Sequence, residues 1–187
     1  MSCWTEILVM RKTPENENEH ERKVALSFTT RAGTVTLRAE QPGDEAFLFE
    51  VYASTRQDEL NLTPWNEAMR QAFLTQQFRA MRQGYAEMFP NGAFSIILLD
   101  GRPIGRQVVH HNDERICVAD VALLPAYQCQ GIGRALMESV LRDAAAAKLP
   151  VRLHVVRENR ALNLYRRLGF EPIGELGVYQ EMEWRVR

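Results

Sequence analysis

The stretch PAYQCQGIGRALM, residues 125–137, sets two glycines one residue apart directly ahead of a helical pattern. After proline, glycine is the residue least suited to a helix interior, so a pair at the mouth of one needs a reason beyond local stability. Ahead of the loop lies RICVADVALL (115–124), an apolar strand pattern; behind it Ile132, Leu136, Met137, Val140, Leu141 and Ala144 mark one face of a helix. A strand, a glycine loop and a helix leave several backbone N–H groups unpaired at the positive end of the helix dipole. An anion suits such a place, with the amides of Cys129, Gln130, Gly131, Ile132, Gly133 and Arg134 as donors and the bare glycines admitting phosphate oxygens. The same glycines also fit a sharp turn that packs helix against strand with no ligand.

The common phosphate loops match poorly. A Walker A loop needs Lys after its last glycine, and Arg134 follows Gly133. A dinucleotide fingerprint needs a third small residue where Leu136 stands, and no acidic residue closes the next strand until Glu158.

Composition sets wide bounds. A chain of 187 residues with 45% hydrophobic content fits one domain with a proper core. Lys and Arg total 23 against 24 Asp and Glu, so no global field draws the chain to nucleic acid or anionic lipid, and any phosphate must be gripped locally. Cys3, Cys117 and Cys129 are odd in number and form no C-x-x-C, which argues against a disulfide framework or a zinc site and for a reducing cytoplasm. His110 and His111 are adjacent on a strand pattern and face opposite ways, so no metal site is expected. No run reaches the ~18 apolar residues of a membrane span, and ILVM (7–10) is too short for a signal-peptide core. The expectation is a soluble, cytoplasmic protein.

Working outward, RKTPENENEHERK (11–23) is charged and nearly free of apolar residues, so residues 1–30 read as a poorly ordered or strand-bearing extension. The domain proper spans 31–187. TVTLRA (34–39) alternates like a strand and leads to a helix with Asp44 at its N-cap. Met69, Phe73, Phe78, Met81 and Tyr85 recur at helical spacing, predicting a long amphipathic helix from Trp65 to Tyr85. AFSIILLDGRPIGRQVVHH (93–111) reads as a hairpin turned at Asp100–Gly101, and 115–124 extends it into an antiparallel meander. VRLHVV (151–156) follows across the helix and is therefore parallel to its predecessor. NRALNLYRRLGF (159–170) is a short helix, and VYQEMEWRV (178–186) a last strand. The sum is an α/β fold of the α+β type, a mixed, mostly antiparallel central sheet of six to seven strands flanked by helices.

Two motifs carry a family resemblance. VALLPAYQCQGIGRALM (121–137) resembles the acetyl-coenzyme A signature of the GNAT (Gcn5-related N-acetyltransferase) superfamily, [Q/R]-x-x-G-x-[G/A], through Gln128, Gly131 and Gly133. ALNLYRRLGF (161–170) resembles that family's second motif, A-x-x-[L/F]-Y-x-x-x-G-F. With the flanking strands the likeness covers residues 34–186. One departure stands out: where the family often has Asn three residues before that Ala, this chain has Glu158, and Asn159 comes one step later.

The resemblance implies a GNAT-like sheet splayed between its fourth and fifth strands, with pantetheine lying in the gap against the backbone of Leu123 and Leu124 and meeting Asn159. It implies N-acetyl transfer from acetyl-CoA, as co-substrate, to a primary amine of a small molecule or peptide, by direct attack in a ternary complex and without a metal. Such chemistry needs a neutral amine, a stabilised oxyanion and a proton for the departing thiolate. The Leu123 amide is the candidate oxyanion donor and Tyr165 the candidate general acid. Asp120, the one acid in an apolar strand, is the candidate base, with Glu59 as runner-up beside Arg56 and Trp65 at the acceptor wall. Arg160 or Arg166 could meet the coenzyme's 3′-phosphate. A homodimer through exposed sheet edges is compatible with this reading, and a coenzyme A-binding regulatory module without catalysis is the alternative to it.

Overall fold

The computed structural model describes residues 27–186. Its strands are β1 (Ser27–Thr30), β2 (Gly33–Ala39), β3 (Ala93–Leu99), β4 (Arg102–His111), β5 (Ile116–Leu123), β6 (Val151–Val156), β7 (Glu171–Leu176) and β8 (Tyr179–Trp184). Its helices are α1 (Glu45–Ser54), α2 (Gln57–Asn61), α3 (Glu67–Met88), α4 (Ile132–Ala147) and α5 (Ala161–Arg167). The strands form one sheet in the order β1-β2-β3-β4-β5-β6-β8-β7, antiparallel throughout except where β5 meets β6. An eight-stranded sheet exceeds the expected six to seven. The unforeseen strand is β7, whose EPIGEL carries a Pro and a Gly and so reads as loop, yet it pairs with β8 at the sheet edge, where proline is tolerated. At the other edge β1 pairs with β2; residues 1–26 of the expected extension lie outside the described residues.

Alternation along β3 sorts the helices into two layers. Ile96 and Leu98 pack with α1, α2 and α3 around Leu48, Tyr52, Phe78 and Met81. Ile97 and Leu99 face the opposite way, toward Ile132 and Leu136 of α4. Farther along, α4 buries Met137, Val140 and Ala144 against Val118, Val151 and Leu153, so it spans both the meander and the parallel pair. The long helix α3 begins at an Asn66 cap, whose side chain accepts from the Met69 amide at 2.9 Å. Asp44 stands at the N-cap position of α1, as expected, but its side chain does not cap the helix. Its carboxylate is taken by Arg38 at 2.6 and 2.7 Å and by the Gln41 amide at 2.8 Å, and the guanidinium beside it holds its pKa below the usual value.

Two bulges shape the middle of the sheet. In β4, Ile104 is the extra residue between the pairs Ile97–Gly105 and Leu98–Pro103. In β5, Ala119 is the extra residue between Val108–Asp120 and Val109–Val118. A bulge bends its strand and sharpens the local twist. Accordingly the parallel ladder covers only Ile116–Val118 against Val151–Leu153, although β5 runs on to Leu123 and β6 to Val156. Beyond Val118 the two strands part.

The meander stays closed on its other side because β4 approaches β5 closely at Gly105, where a Cβ would sit 2.3 Å from the Ala122 carbonyl oxygen. Replacing Gly105 with Ala should therefore cost about 1–3 kcal/mol, read as a lower urea midpoint at unchanged slope.

Candidate active site

The glycine loop forms as follows. Leu124 ends β5, Pro125–Tyr127 make one 3₁₀ turn, and α4 starts at Ile132 with Gly131 at its N-cap. Gly131 has φ +83°, where a side chain is strained, and Cys129 has φ +59°. The first bond of α4 runs from the Ala135 amide to the Gly131 carbonyl at 3.0 Å. Among the described residues, the amides from Cys129 to Arg134 find no protein acceptor. They form an electropositive concavity at the helix mouth. A Cβ on Gly131 would meet nothing within 4 Å, so the space over the loop is open. The loop's side chains are spent on its own shape: Gln128 donates to the Leu123 carbonyl at 2.9 Å and Gln130 to the Ala126 carbonyl at 2.7 Å, while Arg134 pairs with Glu138 at 2.8 Å.

The gap between β5 and β6 begins beside this loop. The Leu124 amide donates to the Ile104 carbonyl at 2.9 Å and its carbonyl accepts from Tyr127 at 2.9 Å, so both Leu124 main-chain groups are committed inside the protein. This corrects the expectation that Leu124 offers backbone to a guest. By antiparallel geometry, Leu123, opposite Gly105, turns its own N–H away from β4 and into the gap. On the far side, Asn159 Oδ1 accepts from the Ala161 amide at 2.9 Å, an Asx turn that leads into α5.

Tyr165 of α5 packs beside Phe170 and the cluster of Leu153, Val155 and Met182. Burial, and secondarily the Asp120 charge, push its phenol up to about 12. Its hydroxyl makes no hydrogen bond among the described residues.

Asp120 is not a lone acid among apolar neighbours. Arg106, on the same face of the neighbouring strand, brings Nε to 2.6 Å from Asp120 Oδ2, an ion pair in contact whose N–H is not aligned on that oxygen. The Arg106 side chain is 8% exposed; its Nη2 donates to Met81 Sδ at 3.0 Å and its guanidinium lies 6.0 Å from the Tyr52 ring centre. Removing charges from water costs several kcal/mol each, and their mutual attraction offsets that cost only where the geometry is good. Tyr85 of α3 reaches the carbonyl of the bulged Ala119 in a long contact of 3.5 Å. Burial, then Asp120, raise the Tyr85 phenol well above its ordinary value.

Glu59 stands apart from this group. It lies on α2 with its side chain 67% exposed and paired to Arg56 at 3.0 Å. Asp120 and Leu123 lie on the stretch of β5 that has parted from β6, and Tyr165 is near enough to feel the Asp120 charge, whereas Glu59 lies on α2 in the helical layer. Arg106 and Tyr85 are members that sequence reasoning missed in these roles. The available signal for Arg106 was a single cation in the apolar PIGRQVV strand, one strand over from the single acid of RICVADVALL. Both candidate 3′-phosphate contacts, Arg160 and Arg166, are exposed; their neighbour Arg157 is engaged by Glu175 at 3.0 Å and the Gly177 carbonyl at 2.8 Å. Among the described residues no group of three or more His, Cys, Asp or Glu is placed to hold a metal ion, and no helix is long and apolar enough to cross a membrane.

The sheet parts beside a glycine-lined helix mouth, an arrangement of mixed sheet and helix shared with known acetyltransferases. The chain belongs to the acetyltransferase (GNAT) family, whose model matches residues 52–170. Membership implies acyltransferase activity with acetyl-CoA as donor. Solved structures share the fold. The PaiA N-acetyltransferase of Thermoplasma acidophilum in complex with coenzyme A aligns at 18% identity and TM-score 0.62, over 81% of this chain and 99% of that one. Mycobacterium smegmatis RimJ in complex with CoA-disulfide aligns at 20% and 0.60, over 85% of both. Ard1 of Thermoplasma volcanium aligns at 19% and 0.57, over 82% and 98%.

The Tyr165 shift has a consequence for stability. A phenol near 10 when unfolded and about 12 when folded contributes stability that is complete below about pH 10 and lost as pH rises toward 12, about 3 kcal/mol in all. Tyr165→Phe lacks this titration, so its urea stability should fall less between pH 10 and 12 than that of the wild type.

Proposed function

We propose that this chain is an N-acetyltransferase that moves the acetyl group of acetyl-CoA to a primary amine of a small molecule or peptide, by direct attack in a ternary complex. The observation that carries the reading is the set of unpaired amides from Cys129 to Arg134 at the mouth of α4, opening into the gap between β5 and β6. Those amides suit a diphosphate, and the space above Gly131 admits one. When bound, acetyl-CoA supplies an activated thioester carbonyl.

The protein's own groups have distinct parts. The Leu123 N–H, fixed by the β4–β5 ladder, offers a donor to the oxyanion that develops on the acyl carbon, at no cost of reorganisation. Tyr165 keeps its proton through neutral pH and so can donate to the leaving sulfur. Asp120 accepts the proton of the attacking amine, directly or through water. Glu59 and Arg56 shape the acceptor entrance from α2 and the turn before it. Asn159 offers its side-chain NH₂ to the pantetheine arm. Free thiols at Cys117 and Cys129 support a reducing, cytoplasmic setting. The open edge at β7, with Ile173 exposed, supports a homodimer built through the sheet.

Calorimetry with coenzyme A and thiol release from acetyl-CoA, over a panel of alkylamines, amino acids and short peptides, test this directly. Wild type should bind coenzyme A and release thiol with at least one amine class, whereas binding without release marks the regulatory module instead. Gly131→Ala, which forces a side chain to φ +83° and into the open space, should weaken coenzyme A binding at least ~10-fold. Tyr165→Phe should lower kcat by about 10²-fold with coenzyme affinity unchanged. An equal loss in both constants would remove the acid role.

A further inference from the structure

We infer that Arg106 is a positioning residue that fixes the Asp120 carboxylate at the mouth of the gap; this rests on the proposed role of Asp120 as the base. Three observations carry it. The pair sits where geometry is most demanding, because Asp120 directly follows the bulged Ala119 and lies in the stretch of β5, past Val118, that has left β6. At such a position the carboxylate's direction is not set by a regular ladder. Next, Arg106 is itself held from several sides: by its place on β4 opposite Ala122, by Met81 of α3 at 3.0 Å, and by the face of Tyr52 on α1. A guanidinium tethered this way is a rigid post. Finally, the contact is one-sided: Oδ2 is sealed against Arg106, and the exposure that Asp120 retains, 18% of its side chain, lies on the rest of the group.

The ion pair therefore orients one carboxylate oxygen inward and leaves the other toward the gap. A buried ion pair is weak evidence for stability, so orientation of the carboxylate is the role assigned to it. The groups facing Asp120 are Arg106 on β4, Tyr85 on α3 and Tyr165 on α5. Arg106 alone among them carries a positive charge.

Two measurements test the assignment. The first is a crystal structure of Arg106→Met with coenzyme A: Asp120 should leave its wild-type rotamer while the sheet stays in place, and a carboxylate in its original position overturns the inference. The second is a double-variant cycle of Arg106→Met and Asp120→Asn, assayed by thiol release with the best amine of the panel above. Arg106→Met should lose about 10-fold or more in kcat at unchanged coenzyme A affinity, and should melt below wild type because it leaves the Asp120 carboxylate uncompensated, whereas the double variant, with neither charge, should regain part of the lost melting temperature. Arg106→Lys should recover part of the kcat loss, and the double variant should be no slower than Asp120→Asn alone. Independent, additive losses overturn the inference, as does a loss that falls on coenzyme binding. If Asp120→Asn turns over like wild type, the base assignment fails instead, and the crystallographic result still decides whether Arg106 places the carboxylate.

Discussion

With Ala119 inserted between the pairs Val108–Asp120 and Val109–Val118, β5 carries one residue more than β4 over the same length, and the strand must bend. The bend is what ends the parallel ladder at Val118 and Leu153. Past that point the main-chain groups on the β6 side of β5 have lost their partner strand, which leaves the Leu123 N–H facing open space. The bulged carbonyl is not abandoned either, because Tyr85 reaches it from α3. One extra residue thus creates the gap, frees a backbone donor within it and aligns Asp120 beside it.

The helix mouth depends on that bend in turn. Because α4 packs with Ile132 and Leu136 on the meander and with Met137, Val140 and Ala144 on the parallel pair, its first turn is pinned close to where the strands diverge. Gln128 reinforces the register by tying the loop to the Leu123 carbonyl. The unpaired amides need no special chemistry: helix geometry orphans the first of them, and the left-handed Cys129 and Gly131 turn the rest outward. A local cost in backbone conformation is offset by two extended packing surfaces on the same helix.

Much of this was legible in the sequence, for reasons that differ by element. The meander, α4 and β6 were readable because their apolar spacing matches one period each and their turns carry Asp-Gly, Gly or Pro. The glycine loop and Tyr165 were readable through two motifs in fixed order. What stayed hidden depends on pairing rather than on composition. The edge strand β7 draws its identity from β8, since Pro172 and Gly174 deny it any strand signature of its own. Asp44 takes the N-cap position of α1, but the partner that draws its carboxylate away from the helix, Arg38, is on another element. Arg106 and Asp120 each look solitary in their own strands, and only a register that includes the Ala119 bulge brings them together. Leu124 was misread for the same reason: whether an amide points into a gap or into a ladder alternates residue by residue, and sequence carries no mark of that phase.

The charge on Asp120 is felt on both faces of the sheet. Tyr85 approaches it from the layer of α1–α3 and Tyr165 from the layer of α4 and α5, and both phenols are raised in part by it. A carboxylate is felt at both phenols because both are buried, where little water intervenes to screen it. In the proposed reaction the gap connects an acceptor arriving from one layer with a coenzyme arriving from the other. The same weak screening would make an uncompensated carboxylate costly there, and Arg106 is the compensation. In that proposal the proton taken from the amine by Asp120 is balanced by the one Tyr165 gives to the leaving sulfur, so the site's net charge is the same before and after transfer.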